Sequence, residues 1–159
     1  MRFLFCFCLL LCLRAAASDS SRLYNPKANA AKDVAEAVLK AKRENKRVLL
    51  QVGGNWCVLC YRLHAFIQTD SVLKKLVDAN YILYHLNYSS ENRNLAYLKT
   101  IGSPQRFGFP VLVVLDADGS RLQTQPGGTL QKGNGYSFEK VQAFLTHWAP
   151  ENKVKEPVL

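Results

Sequence analysis

The apolar positions of this chain alternate between helical spacing and short continuous runs. Between residues 28 and 44 five of them recur at the spacing of one helix face: Ala31, Val34, Ala35, Val38 and Leu39. The apolar run over 48–52 ends at two glycines, which predicts a buried strand. The same criteria predict helices over 57–68, from 70 or 71 to 77, over 95–101 and from 138 to the proline at 150, and strands over 81–87, 111–115 and 121–125.

The order of these elements predicts an α/β fold. Alternating helices and strands are typical of a parallel sheet covered by helices, and a turn at 116–119 adds an antiparallel hairpin at the edge. We therefore predict one domain over 28–149, with a central mixed sheet of about four strands flanked by helices. Residues 18–27 form an N-terminal extension, four glycines within 126–136 predict an irregular loop, and 150–159 form a flexible tail.

The first residues have the composition of a secretory signal peptide. Arg2 is followed by an almost unbroken apolar stretch over 3–13, and three alanines precede Ser18. This stretch is shorter than the ~20 residues that a membrane-spanning helix needs. We predict that residues 1–17 are a cleaved signal and that the protein is exported, either periplasmic or secreted. An uncleaved anchor, or a lipid on Cys12, would make it membrane-associated instead.

The net charge of the chain excludes few classes of binding partner. Without Arg2 and Arg14 the chain keeps 19 basic residues against 12 acidic ones, a net charge of +7. The basic residues dominate the N-terminal third, where they indicate a solvated helix face, with weak attraction to anionic membrane surfaces as the alternative. No nucleic-acid-binding motif accompanies them, so we predict no nucleic-acid partner.

The cysteine count points to chemistry rather than to a structural framework. Three of the five cysteines lie in the predicted signal, which leaves Cys57 and Cys60 with two residues between them. A disulfide across so small a loop restricts the unfolded chain little, and therefore stabilises the fold little. Cys57 follows a strand and two glycines and opens a predicted helix, where free N–H groups and the helix dipole stabilise a thiolate.

This placement divides the chemistry between the two sulfurs. A thiolate is the form that attacks disulfides, so Cys57 is the predicted nucleophile. Cys60 lies one helical turn on and is the predicted resolving thiol, which attacks the resulting mixed disulfide. An inert short-range disulfide and half of a metal site remain open as alternatives. Only three histidines are available to complete a metal site, and we assign no metal: His64, His85 and His147.

The residues around the pair carry a resemblance to a known family. The motif Trp56-Cys57-Val58-Leu59-Cys60 follows an apolar strand, and Gly108-Phe109-Pro110 precedes another. Together with the element order, these motifs resemble the thioredoxin superfamily over about residues 28–149. The apolar spacing of the pair is especially similar to exported members, such as the C-terminal domain of the membrane electron transporter DsbD.

The resemblance implies a thioredoxin-like fold and roles for further residues. It implies that Pro110 is the family's cis-proline, which lies against the cysteine pair and shapes the substrate groove. Trp56 would flank this groove, and the backbone of Phe109 would pair with an extended substrate. Substrates would be protein or peptide thiols and disulfides. The Cys57–Cys60 disulfide would be the redox-active group, with no cofactor besides it.

One position departs from the family pattern. Many thioredoxins carry a buried Asp in the strand before the motif, which takes a proton from the second thiol, whereas this sequence has Gln51, which cannot titrate. His85 falls near the place of a lysine that partners this Asp, and His64 shares the helix face of the two cysteines. Together with Gln51, these histidines are the candidate proton relay, because histidine titrates near neutrality.

Three functions are compatible with this pattern. The leading one is a thiol–disulfide oxidoreductase that works through a mixed disulfide. We favour a reductant, because exported members of the family often draw electrons from a membrane-bound or exported redox partner. The alternatives are a thioredoxin-fold binding module with little turnover, which Gln51 favours, and a metallochaperone that uses both thiolates.

Overall fold

A computed structural model describes residues 22–151 of the chain. The predicted signal at 1–17, and the predicted tail beyond residue 151, lie outside these residues. No helix in the described part is long and apolar enough to cross a membrane. The helices are α1 Ala30–Glu44, α2 Val58–Thr69, α3 Ser71–Asn80, α4 Leu95–Thr100 and α5 Phe138–His147, and the strands are β1 Arg47–Gly53, β2 Tyr81–Asn87, β3 Val111–Leu115, β4 Arg121–Pro126, β5 Gln131–Lys132 and β6 Gly135–Tyr136.

Four of these strands form the central sheet, in the order β2-β1-β3-β4. This confirms the predicted mixed sheet of four strands flanked by helices. The predicted antiparallel hairpin of β3 and β4 is present, but the expected parallel character is wrong for the β1–β3 pair, because β3 runs antiparallel to β1. Alternation along the chain does not fix strand direction. The segment between β2 and β3 contains only the short α4 and a 3₁₀ turn at Pro104–Phe107, and it returns the chain in the opposite sense.

The alternation of side chains along β1 sorts the core into two layers. One face of β1 packs with α1 and α4 through Val48, Leu50 and Val52. Leu49, on the other face, packs with α2, α3 and α5. Successive side chains of a strand point to opposite faces, so Gln51 lies on the same face as Leu49. This buried amide therefore lies on the α2 side of the sheet, and α2 begins at the cysteine pair.

Helix α1 begins where the side chain of Asn29 accepts a hydrogen bond from the backbone of Lys32. Its buried face differs from the expected one. The helix buries mostly small residues, and Leu39 is exposed although its spacing placed it on the predicted apolar face. Small side chains allow the helix to lie close to the strands beneath it. The buried positions are Ala30, Val34, Ala37 and Ala41.

The segment after β4 is more ordered than its glycine content suggested. A 3₁₀ turn at Gly127–Leu130 is followed by the antiparallel pair of β5 and β6. Two residues join these strands, and the first of them, Gly133, has φ +58°, a conformation that glycine adopts without strain. The prediction of an irregular loop over 126–136 is therefore wrong for most of its length.

Candidate active site

Cys57 is the N-cap residue of α2, as its position after β1 predicted. Its Sγ accepts a hydrogen bond from the backbone N–H of Cys60 at 3.2 Å, so sulfur takes the place that a serine or aspartate oxygen occupies at other helix starts. The two cysteines form a disulfide, with their Cα atoms 5.3 Å apart. When this bond is reduced, the same N–H and the positive end of the α2 dipole lower the free energy of a thiolate on Cys57.

The second sulfur lies deeper in the molecule. Cys57 retains 5 % of its accessible surface, whereas Cys60 retains none. The sulfur of Cys57 is therefore the more accessible of the two. The division into a nucleophile and a resolving thiol stays a prediction, and it requires a difference in exposure of this sense.

Beneath Cys60 lies a buried polar pair that the sequence showed only in part. The Nε2 of Gln51 donates to the hydroxyl of Tyr24 at 2.7 Å and to the carbonyl of Cys60 at 3.0 Å. Tyr24 is fully buried and belongs to one apolar cluster with the two cysteines. Gln51 is thus in contact with Cys60, and both of its amide hydrogens are used.

The two candidate histidines lie together, in a row that ends at Tyr24. The ring of His85 meets that of Tyr24 edge-on at 5.5 Å, and the ring of His64 meets that of His85 at 4.9 Å. Desolvation lowers the pKa of His85 to about 4 and also lowers the pKa of His64. Both are therefore neutral at neutral pH, and as relay groups they would act by exchanging protons between tautomers rather than by holding a charge.

Two of the predicted groove residues, Trp56 and Phe109, lie beside the disulfide. The indole N–H of Trp56 donates to the carbonyl of Tyr88 at 2.8 Å. The ring of Phe109 packs against the indole of Trp56 and against the ring of Tyr88. A β-carbon at Gly54 would collide with this indole nitrogen and lie 2.7 Å from the Tyr88 carbonyl, so glycine there permits the arrangement. Trp56 nevertheless keeps 56 % of its surface exposed, and the Phe109–Pro110 peptide bond is cis. The result is an open aromatic rim beside the disulfide.

Gly127 sets the distance between this rim and the segment after β4. Its N–H donates to the carbonyl of Pro110 at 2.8 Å, and a β-carbon would clash with that oxygen and lie 2.9 Å from the proline ring. We expect Gly127→Ala to lower the free energy of unfolding by about 2 kcal/mol, because backbone must move to admit the methyl group. Urea denaturation measures this difference.

The adjacent glycine provides a matched control for that substitution. Gly128 is exposed, and a β-carbon there would have no heavy atom within 4 Å. Gly128→Ala should therefore change the free energy of unfolding by less than about 0.5 kcal/mol. If Gly127→Ala and Gly128→Ala lowered the free energy of unfolding equally, contact with Pro110 would not explain why residue 127 is a glycine.

Sequence reasoning missed three residues of this site. Tyr24 falls in the segment predicted as an extension, Asn55 between a glycine pair and the cysteine motif, and Tyr88 in a polar loop. Asn55 accepts from the backbone N–H of Tyr24 at 3.0 Å and donates to its carbonyl at 2.8 Å. The only available signal was the isolated apolar pair at residues 23 and 24, and no periodicity accompanies it.

The described residues offer no further metal ligands beside the cysteine pair. Among residues 22–151 there is no group of three or more histidine, cysteine, aspartate or glutamate side chains arranged to hold an ion. Two sulfurs remain as the donor set that a metallochaperone would use.

Comparisons with known proteins identify similar folds. A family model described as thioredoxin-like matches residues 29–117. The chain is similar to the disulphide isomerase from Xylella fastidiosa Temecula1, with 27 % identity and a TM-score of 0.68 over 78 % of this chain and 94 % of that one. It also shares its fold with the oxidised C-terminal domain of DsbD from Neisseria meningitidis, with 21 % identity and a TM-score of 0.53 over 76 % and 94 % of the two chains. No curated protein matches the sequence.

Proposed function

This chain belongs to the thioredoxin-like family, and from that premise we propose that it is a thiol–disulfide oxidoreductase acting on protein or peptide disulfides. The observation that carries the proposal is the sulfur of Cys57 at the start of α2, bonded to Cys60 and hydrogen-bonded to a backbone N–H. The similarity to a disulphide isomerase at 27 % identity supports the same class of chemistry.

The proposed reaction has two exchange steps. The Cys57 thiolate attacks one substrate sulfur, so a Cys57–substrate bond forms, the substrate disulfide breaks, and the first substrate thiolate takes up a proton. The Cys60 thiol then loses its proton and attacks the Cys57 sulfur, which releases the second substrate thiolate and closes the Cys57–Cys60 disulfide. Two electrons have passed from the protein to the substrate, and a dithiol partner must return them.

We propose that the protein works as an exported reductant, periplasmic or secreted, with a membrane-bound or exported redox partner as the electron donor. The composition of residues 1–17 supports export. The open aromatic rim of Trp56 and Phe109 beside the disulfide supports a peptide chain as substrate, since it offers apolar surface to an extended segment.

One observation favours a second candidate, a binding module with little turnover. Gln51 occupies a fully buried position against Cys60 and cannot accept a proton from it. Such a module would hold partners in the groove without completing the second exchange step. Turnover with a disulfide-bonded model protein and a dithiol reductant separates the two functions.

The proposal predicts that Cys60→Ser accumulates mixed disulfides. Without the resolving thiol, substrates remain bonded to Cys57, and in the native host they should appear as reductant-sensitive adducts that mass spectrometry identifies. A Cys57→Ser/Cys60→Ser double variant, expressed equally, is the matched control. Equal adduct levels in the two strains would overturn the enzyme proposal.

A further inference from the structure

We infer that the hydroxyl of Tyr24 donates a hydrogen bond to the Cys60 thiolate and makes Cys60 a competent resolving nucleophile. The two groups border one small space above Gly53. A β-carbon built there would clash with Cys60 Sγ and lie 2.8 Å from the Tyr24 hydroxyl oxygen. This inference rests on the proposed function, because it concerns the second exchange step of that reaction.

The position of the phenol is fixed from two sides. Asn55 pairs with both the N–H and the carbonyl of Tyr24, at 3.0 and 2.8 Å, as a neighbouring strand would. The N–H of Leu23 donates to the hydroxyl of Tyr61, which in turn donates to Asn55. Tyr61 and Asn55 lie on either side of the cysteine motif, so the segment before α1 is attached directly to the active site.

The direction of the hydroxyl hydrogen follows from its partner. An amide nitrogen only donates, so the hydroxyl oxygen of Tyr24 must accept the 2.7 Å bond from Gln51. Gln51 is itself oriented by its second bond, to the carbonyl of Cys60. No hydrogen bond within residues 22–151 uses the hydroxyl hydrogen of Tyr24 in the disulfide form, and the sulfur of Cys60 borders the same space above Gly53 as the hydroxyl oxygen.

A donor is needed at this point because the thiolate forms in a buried place. An isolated charge on the fully enclosed Cys60 is costly unless a polar group solvates it. Gln51 has no hydrogen left for this, since both are used. Burial raises the pKa of Tyr24 far above its ordinary value, so the phenol keeps its hydrogen at every pH at which the thiolate works.

The titratable groups around the phenol do not supply an alternative charge. Tyr61 and Tyr136 are the ionisable side chains that act on Tyr24 electrostatically, and its ring meets His85 from the neighbouring strand. At neutral pH His85 is uncharged, because its pKa lies near 4. The neutral hydroxyl is therefore the group in this cluster that can stabilise the sulfur anion.

The test measures the second exchange step by itself. A mixed disulfide is preformed between Cys57 and a chromophoric thiol such as thionitrobenzoate, and its release by Cys60 is followed as a function of pH. We expect Tyr24→Phe to slow this release about tenfold at neutral pH and to move the pH–rate curve to higher pH. The limiting rate in alkali should be no lower than that of the wild type, because a less acidic thiol gives a more nucleophilic thiolate. A hydrogen bond to a charged group is stronger than one between neutral groups, and the expected tenfold change corresponds to about 1.4 kcal/mol.

Tyr81→Phe is the matched control for this variant. The Tyr81 hydroxyl is also buried, but it donates to the carbonyl of Leu145 on α5 at 2.7 Å, and Tyr81 is not among the side chains that act on Tyr24. Its removal should leave the pH–rate curve in place. A Tyr24→Phe curve that coincides with the wild-type curve would overturn the inference while leaving the proposed exchange activity intact.

A second measurement does not depend on activity. In the reduced Cys57→Ser background, the ¹³Cβ signal of Cys60 reports thiol ionisation as the pH is raised. Adding Tyr24→Phe should move this titration to higher pH, with melting temperatures recorded to verify that both proteins are folded. If Tyr24→Phe leaves the titration of Cys60 unchanged, the role of Tyr24 is overturned, even if the wild-type protein exchanges disulfides. If the titration moves to higher pH, the role is supported, even if the wild-type protein has no turnover.

Discussion

Cys57→Ser is expected to abolish disulfide reduction, with a loss on the order of a thousandfold or more. The sulfur of Cys57 is the one that combines a place at the start of α2 with an N–H donor and some solvent access. A serine hydroxyl at the same N-cap would preserve the helix start but would not ionise near neutral pH, so the attacking anion would be lost. Turnover with a disulfide-bonded model protein, driven by a dithiol, measures the effect.

Cys60→Ser gives the comparison that fixes the roles of the two sulfurs. This variant should lose multiple turnover as well, yet it should still form a mixed disulfide in a single burst, because Cys57 is unchanged. Cys57→Ser should show no burst. If Cys57→Ser forms adducts and Cys60→Ser does not, the assignment of nucleophile and resolving thiol is reversed.

Acid should destabilise this protein through His85. An ordinary histidine has a pKa of about 6.5, while burial lowers that of His85 to about 4. Between these values the unfolded chain binds more protons than the folded one, so the free energy of unfolding falls as the pH falls from about 6.5 to about 4. Above that range the full stability is present. The expected loss from this one group is about 3 kcal/mol, and the lowered pKa of His64 adds to it in the same direction.

Urea denaturation at a series of pH values tests this prediction. His85→Leu should flatten the dependence of stability on pH between about 4 and 6.5, because the group that must stay neutral is gone. His147→Gln is the control, since His147 lies exposed at the end of α5 and its replacement should leave the dependence unchanged. An undiminished acid sensitivity in His85→Leu would contradict the assignment.

The same histidines test the proposed proton relay. A variant that replaces both His64 and His85 should alter the pH–rate profile of disulfide reduction if protons leave Cys60 along their row. A profile identical to that of the wild type would remove both from the mechanism. The proton relay affects the rate of disulfide exchange, whereas acid sensitivity affects the free energy of unfolding. The outcome of either experiment therefore does not decide the other.

Local chemistry made the centre of the site predictable. The strand, the two glycines and the cysteine motif are contiguous, and an N-cap is defined by residues within four positions of one another, so the place of Cys57 at a helix start could be predicted from the chain. The pairing of Cys57 with Cys60 is equally local, since one helical turn separates them. The aromatic rim and the role of Pro110 came instead from the resemblance to a family, because more than 50 residues separate these groups along the chain.

The sequence by itself predicted the five helices, the four strands of the central sheet and the place of Cys57 at a helix start, because each depends on neighbours within a turn or a strand length. Only the tertiary structure decided the direction of β3, the buried face of α1 and the place of Tyr24 beneath Cys60. Those features depend on which surfaces meet, and periodicity does not contain that information: small residues rather than Leu39 contact the sheet, and an isolated tyrosine before the first helix fills the space left by Gly53.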